Sequence, residues 1–295
     1  MLNVRIHISF IILLFLSSSY MVLVSFPVRA QTDYSIDVIG YTWNHSTLSV
    51  NILPQENETW WNPSYLNASL HGIAQWNDAI QEFASTHTDF SYLSNVHLIP
   101  TVSYEVVSGF DIYVRWRAKC ESEATIGESQ AIIKSSCITV NNTIYLAAKS
   151  PSGHVMTEVD MQNIVVHEIG HTFGLSHTPH SSDVMYATVD FLETVKPVSS
   201  LDIYAISYTF NWMKNSLQLS SPVICPEQSV LTLPLTLDYV HFPISTENLP
   251  VYSSTNLFEY VLRLLLRLES LLLIIVIVTL FVVTVIMIKR RKIPN

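Results

Sequence analysis

The residues best suited to chemistry lie between positions 167 and 177, which read H-E-I-G-H-T-F-G-L-S-H. On a helix, side chains four apart stand one above the other, so His167 and His171 can aim their imidazoles at one point. Glu168 projects beside that point without being forced to bind, as suits a general base working on a water that a metal activates. Gly174 can adopt a left-handed backbone, end the helix and turn the chain so that His177 arrives as a third nitrogen. Three neutral imidazoles leave one tetrahedral position open, which distinguishes a catalytic zinc from a structural one. Two of the seven glycines and three of the eleven histidines fall inside these eleven residues, in the order that builds a tripod. One catalytic Zn2+ is the expected cofactor.

The elements that must position this group read as follows. Thr157 caps the zinc helix, with Glu158 and Asp160 placing negative charge at its positive end. Ile164, Val165 and Phe173 supply its apolar anchors. Ser199 and Asp202 form an S-x-x-D capping box for a last helix whose buried stripe would be Leu201, Tyr204, Ala205, Tyr208 and Trp212. Upstream, residues 41–53 alternate enough to form a strand. Asn62 and Pro63 then open a helix that ends near Thr86, with Leu66, Leu70, Ile73, Ile80 and Phe83 on one face. Residues 96–107 and 111–116 read as two strands joined by a turn at Ser108-Gly109, and 117–136 as a polar, irregular stretch. Residues 138–148 form a further strand candidate, interrupted at Asn141-Asn142.

Much of the 49% apolar content, and of the mean hydropathy of +0.31, comes from two stretches near the ends of the chain. Residues 8–26 follow Arg5 and precede Val28-Arg29-Ala30, a small-x-small pattern, so 1–30 read as a secretory signal peptide cut after Ala30. Residues 271–288 carry no charge and end at Lys289-Arg290-Arg291-Lys292. That length approaches a bilayer core, and the basic cluster favours a cytoplasmic tail, 289–295, with the rest outside the cell. Residues 258–268 would lie at the outer interface, so the membrane-proximal part and the span together cover 261–288.

Between positions 31 and 260 there are seven basic side chains against twenty-three acidic ones, which excludes nucleic acid as a partner. In an exported protein, Cys120 and Cys137 could close a short disulfide loop, leaving Cys225 over. Sequons at Asn44, Asn57, Asn67 and Asn141 are candidate glycosylation sites. Five of the thirteen prolines fall between 219 and 255, so 219–260 reads as an extended stalk. A small β module is the other reading, since 230–242 partly alternates.

The motif H-E-x-x-H-x-x-G-x-x-H resembles the metzincin signature, and its surroundings resemble the matrixin branch. The resemblance implies an α+β catalytic domain over 31–218, with a twisted mixed sheet, three helices, a zinc cleft and a Met-turn. Ser182-Asp183-Val184-Met185-Tyr186 fits that turn, with Met185 beneath the metal. Tyr186 follows the methionine directly, whereas branches with a tyrosine ligand place it two positions on, so it is not counted as a ligand. Weaker likenesses are W-N near the start, G-F-D-I-Y-V-R-W for the third strand and S-S-L-D-I-Y-A-I at the final helix. An insertion for a structural zinc and calcium is not recognisable, nor is a P-R-C-G cysteine switch.

The resemblance implies a zinc endopeptidase acting on protein or peptide substrates, and the 271–288 stretch would anchor it in the membrane. His167, His171 and His177 would hold the metal and Glu168 would act as base. A substrate strand would lie on an edge strand, here expected at 143–148. A zinc-binding adhesion or receptor protein without turnover would share the scaffold. Inactive relatives, however, tend to lose the glutamate or a ligand, and this chain keeps both. A zinc amidase or esterase would differ only in substrate.

Overall fold

A computed structural model of the chain describes residues 33–119, 125–134, 137–188, 191, 194–214 and 225–244. They form a mixed α+β fold around one five-stranded sheet. The elements are β1 (Ser35–Val38), β2 (Thr47–Ile52), α1 (Ser64–Thr86), β3 (His97–Val102), β4 (Ile112–Arg117), β5 (Gly127–Lys134), β6 (Ile138–Ala147), α2 (Glu158–Thr172), α3 (Ser200–Thr209) and β7 (Ser229–Thr232). The sheet order is β3-β2-β4-β6-β5, and only β5 runs antiparallel to its neighbour.

Alternation along the strands makes the sheet one-sided, since successive side chains point to opposite faces. Leu48, Val50 and Ile52 of β2, Ile112, Val114 and Trp116 of β4, and Ile144 and Leu146 of β6 are all buried. Helix α1 buries Leu66, Leu70, Ile73, Ile80 and Phe83 in the same core, as their spacing predicts. The side chain of Asn62 accepts from the backbone of Ser64 (3.0 Å) and so satisfies a donor of the first turn. Helices α1 and α2 approach closely at Gly72, where a β-carbon would stand 3.0 Å from Val165. Trp76 seals that contact by donating its indole N–H to the carbonyl of Val166 (2.8 Å).

Four expectations are corrected. The strands at 97–102 and 112–117 are not a hairpin: both lie parallel to β2, one on each side. Parallel strands cannot be joined by a tight turn, and Gly109, at φ 92, sits instead in the return crossing. The stretch read as irregular contains β5, an edge strand paired on one side only, whose polar side chains give no apolar period. Strand β6 continues through Asn141-Asn142, with its irregularity against β5 just before them at Val140, and the buried Asn142 accepts from Ser129 of β5 (3.0 Å).

The fourth correction is to the stalk. Residues 225–244 pack on the domain: β7 pairs antiparallel with β1, and Leu233, Leu237 and Phe242 join the core. Phe242 donates to the carbonyl of Val198 (2.9 Å), and Ser200 to that of Asp238 (2.7 Å), so this segment lies against the start of α3. It is neither a stalk nor a separate module but a further layer of the same fold. The residues on both sides of it, 215–224 and 245–260, lie outside the described residues, as do 1–30 and 261–295. Among the described residues no helix is long and apolar enough to cross a membrane.

Candidate metal centre

Helix α2 begins in a reciprocal capping box. The Thr157 hydroxyl accepts from the Asp160 backbone (3.1 Å), while the Asp160 carboxylate accepts from the backbone N–H of Thr157 (2.9 Å). His154 also bonds that carboxylate (2.9 Å), and these donors hold Asp160 below the usual carboxylate range although burial opposes them. Three turns on, His167 and His171 project from one face. The helix stops at Gly174, φ 85, where a β-carbon would lie 2.7 Å from the carbonyl of Tyr41.

The chain beyond Gly174 is caught by β1. Leu175 bridges to Val38, Ser176 donates to the carbonyl of Asp37 (2.7 Å), and Asp37 donates to that of His177 (3.1 Å). Strand β1 thus holds the third histidine in place. Nothing in its own sequence announces that role, because the pairing partner is more than a hundred residues away.

His167, His171 and His177 each offer a ring nitrogen, all within 4.8 Å of one another. His167 Nδ1 lies 2.8 Å from the carbonyl of Val184 and His171 Nδ1 lies 2.9 Å from that of Leu175. A carbonyl only accepts, so both Nδ1 atoms carry the proton and both Nε2 lone pairs are left for a metal. Burial, reinforced by His171, takes the pKa of His167 down to about 3, and burial takes His171 to about 4. His177, on the open side, is also lowered by burial. All three are therefore neutral at pH 7, the form a metal requires.

Glu168 is 5% exposed. Burial, with the charge of Glu128 on β5, raises its carboxyl to about 8, and Oε2 is a buried atom with no hydrogen-bond partner. A buried carboxyl left unsatisfied beside three converging imidazoles fits a centre completed by an ion and water. Gly127, the first residue of β5, lies against this carboxyl. A β-carbon there would collide with Glu168 and stand 2.7 Å from Ile164 Cγ2.

Beneath the tripod, the sulfur of the fully buried Met185 fills the space that a side chain at Gly170 would need. The Met185 N–H donates to Asp183 (2.8 Å), and its carbonyl accepts from Thr178 (3.1 Å). Val184 supplies the carbonyl that fixes the tautomer of His167, so the turn serves the ligand by backbone as well as by sulfur. Below it, Ser199 donates to Asp183 (2.7 Å) and Tyr239 does the same (3.1 Å), tying the turn to α3 and to the C-terminal layer.

The Matrixin family model matches residues 108–211, which run from just before β4 through α2 and the Met185 turn to the end of α3. The chain carries a matrixin-like metzincin catalytic domain. The match supports a zinc metalloprotease in general. No curated protein matches the chain at a significant level. The matrixin match begins after β1, β2, α1 and β3, and the structure joins those elements to it through the sheet and the Gly174 bend.

Other site expectations fare differently. Cys137 is bonded to Cys225, not to Cys120, which lies outside the described residues. The correction follows from the C-terminal layer, which folds back and brings Cys225 within 5.7 Å (Cα–Cα) of Cys137. The edge expected at 143–148 is not one: residues 143–147 belong to β6, which lies between β4 and β5. The edges of the sheet are β3 and β5, of which β5 is the one that reaches Glu168. Asn44 and Asn57 are exposed, whereas Asn67 on α1 and Asn141 on β6 are half-buried. Tyr186 bridges to Thr178 and lies beneath Lys196 (5.7 Å), with no part in the tripod.

Proposed function

We propose that the protein is a membrane-anchored extracellular zinc endopeptidase, with His167, His171 and His177 as ligands and Glu168 as general base. One observation carries the reading: three neutral imidazoles converge beside a buried carboxyl whose free oxygen has no protein partner. A bound zinc would polarise the scissile carbonyl and make the attacking water more acidic. Glu168 takes the proton of that water and delivers it to the leaving amine, so one carboxyl serves both halves of the reaction. Its burial keeps it basic enough for the first transfer and dry enough for the second. The substrate lies extended along β5, whose outer edge pairs with no strand among the described residues and whose first residue touches Glu168.

Placement outside the cell is supported by the disulfide, a bond that persists in oxidising compartments. The exposed sequons at Asn44 and Asn57 support it too. In this arrangement 1–30 is a cleaved signal, 271–288 spans the bilayer among lipid, and 289–295 is the cytoplasmic tail. The link between catalytic unit and membrane shortens to about residues 245–260, because the C-terminal layer belongs to the domain.

The test is cleavage of a mixed peptide set by the full-length chain in detergent, wild type against Glu168→Gln. The substitution should lower the rate by on the order of 10²–10⁴ while one zinc per chain is retained. Equal rates would overturn the role of Glu168. Zinc retention with no cleavage by the wild type would favour the silent adhesion or receptor protein.

A further inference from the structure

The free edge of β5 has two ends of different character. At its start, Gly127 lies against the carboxyl of Glu168. At its far end, Ile132 and Ile133 are 59% and 44% exposed, beside Val140 at 47%. Val140 belongs to β6, at the irregularity where Ile132 faces Asn141 and Ile133 faces Thr139, so that Val140 is left without an opposite residue. Three branched apolar side chains thus flank one end of an edge strand, Ile132 and Ile133 on opposite faces of the sheet, where an exposed strand edge invites another chain.

This end is braced. Cys137, one residue before β6, is bonded to Cys225, its carbonyl accepts from Thr42 (2.8 Å), and Thr139 donates back to Thr42 (2.8 Å). A chain laid here therefore meets a fixed surface. Ile132 is five residues beyond Gly127, about 17 Å at the rise of a strand.

We infer that Ile132 and Ile133, on the two faces of the strand edge, with Val140 beside them, select apolar side chains four to six residues before the scissile bond. The inference rests on the endopeptidase reading above, and its occupant is the substrate polypeptide. A peptide adding antiparallel to β5 runs from Lys134 towards Gly127, so its earlier residues pass the isoleucines and its scissile bond arrives beside Glu168. Antiparallel addition is the more stable pairing per residue, and it sets successive substrate side chains on alternate faces, beside Ile132 on one and Ile133 on the other. The surface thereby distinguishes long substrates with an upstream apolar cluster from short ones that reach only the metal.

The test uses full-length protein and peptides that share one cleavable core. One peptide carries Val and Leu four to six positions before the bond, a second carries Ser and Glu there, and a third carries the apolar residues at the same distance after the bond. The first should be cleaved with kcat/KM about tenfold above the other two. In Ile132→Ser/Ile133→Ser that ratio should fall towards one, whereas Ile132→Val/Ile133→Val should keep most of it. Binding of the labelled first and second peptides to metal-free Glu168→Gln protein should show the same preference without turnover. Equal cleavage of all three peptides by the wild type overturns the inference and leaves the protease reading standing. Preference for the third peptide overturns the direction of binding and with it the inference. Cleavage of none overturns the protease reading itself. A wild-type dimer that the serine variant dissolves would assign the surface to a second copy, which also overturns it.

Discussion

Gly127 and Glu168 come from elements that the sequence reading does not connect, yet the absence of one side chain sets the position of the other. Any β-carbon at Gly127 meets the Glu168 carboxyl and Ile164, both held in the buried helix α2. Gly127→Ala should therefore push the carboxyl aside and lower kcat on the order of 10²-fold, the usual consequence of a base displaced by about an ångström. Zinc content should stay at one per chain. Glu168→Asp, which withdraws the carboxyl by one methylene, relieves the same collision. The two losses should then be less than multiplicative in the double variant, and a kinetic cycle over the four proteins measures this. Fully multiplicative losses would mean that the glycine acts elsewhere. The tripod was readable because its information is local: i, i+4 spacing and a helix-ending glycine lie within eleven residues. The place of Gly127 was not readable, because it depends on which strand crosses the helix.

At the scale of elements, helix α3 is set on the Met185 turn through a pair of buried carboxyls. Asp202 closes the capping box with Ser199, and the Ser199 hydroxyl also reaches Asp183 (2.7 Å). Burial, then the neighbouring charge of Asp183, holds Asp202 well above the ordinary carboxyl range, while Tyr239 donates to Asp183 from the C-terminal layer. The sign follows from the raised folded value. This group's contribution is complete below the unfolded pKa near 3.8 and is lost as pH rises through the folded one. Asp202→Asn cannot ionise, and its amide oxygen can still accept from the Ser199 backbone. The melting temperature of the variant minus that of the wild type should therefore grow more positive from pH 4 to pH 8, as scanning calorimetry would measure; a flat difference would show that the pair is not strained by charge. Taking the difference cancels the titration of the metal-binding histidines, which both proteins share. The Ser199–Asp202 capping box was legible, being a four-residue signal, and so was the Thr157 cap, though not its reciprocal bond with Asp160. The buried stripe of α3 was legible only in part. Leu201 and Ala205 are buried as expected, but Tyr204, Tyr208 and Trp212 are half-buried, and Ile203, Ile206 and Phe210 are inside. A helix covered on more than one side gives no single face to read. Strands β1 and β5 escaped for the opposite reason: each is defined by a partner distant in the chain.

Across the whole molecule, the layer formed by β1 and residues 225–244, β7 among them, joins the two ends of the described fold. It holds the His177 segment through Asp37, the Met185 turn through Tyr239 and the start of α3 through Val240. One covalent bond, Cys137–Cys225, fastens this layer to the sheet across 88 residues of sequence. Proline density suggested a stalk because it reports backbone stiffness, and a stiff segment can just as well lie along a core. The chain-entropy model puts the closure of so long a loop at about 4–5 kcal/mol. The double substitution Cys137→Ser/Cys225→Ser should then lower the melting temperature by about 10 °C in the absence of reductant. If the bond mainly holds the layer in place, limited proteolysis of the variant should cut within 225–244 before it cuts the sheet, and zinc affinity should fall with it, since β1 loses the strand that backs it. Loss of stability with the layer still protected would confine the bond to the unfolded chain. Release of the layer with zinc affinity unchanged would show that β1 holds His177 without help.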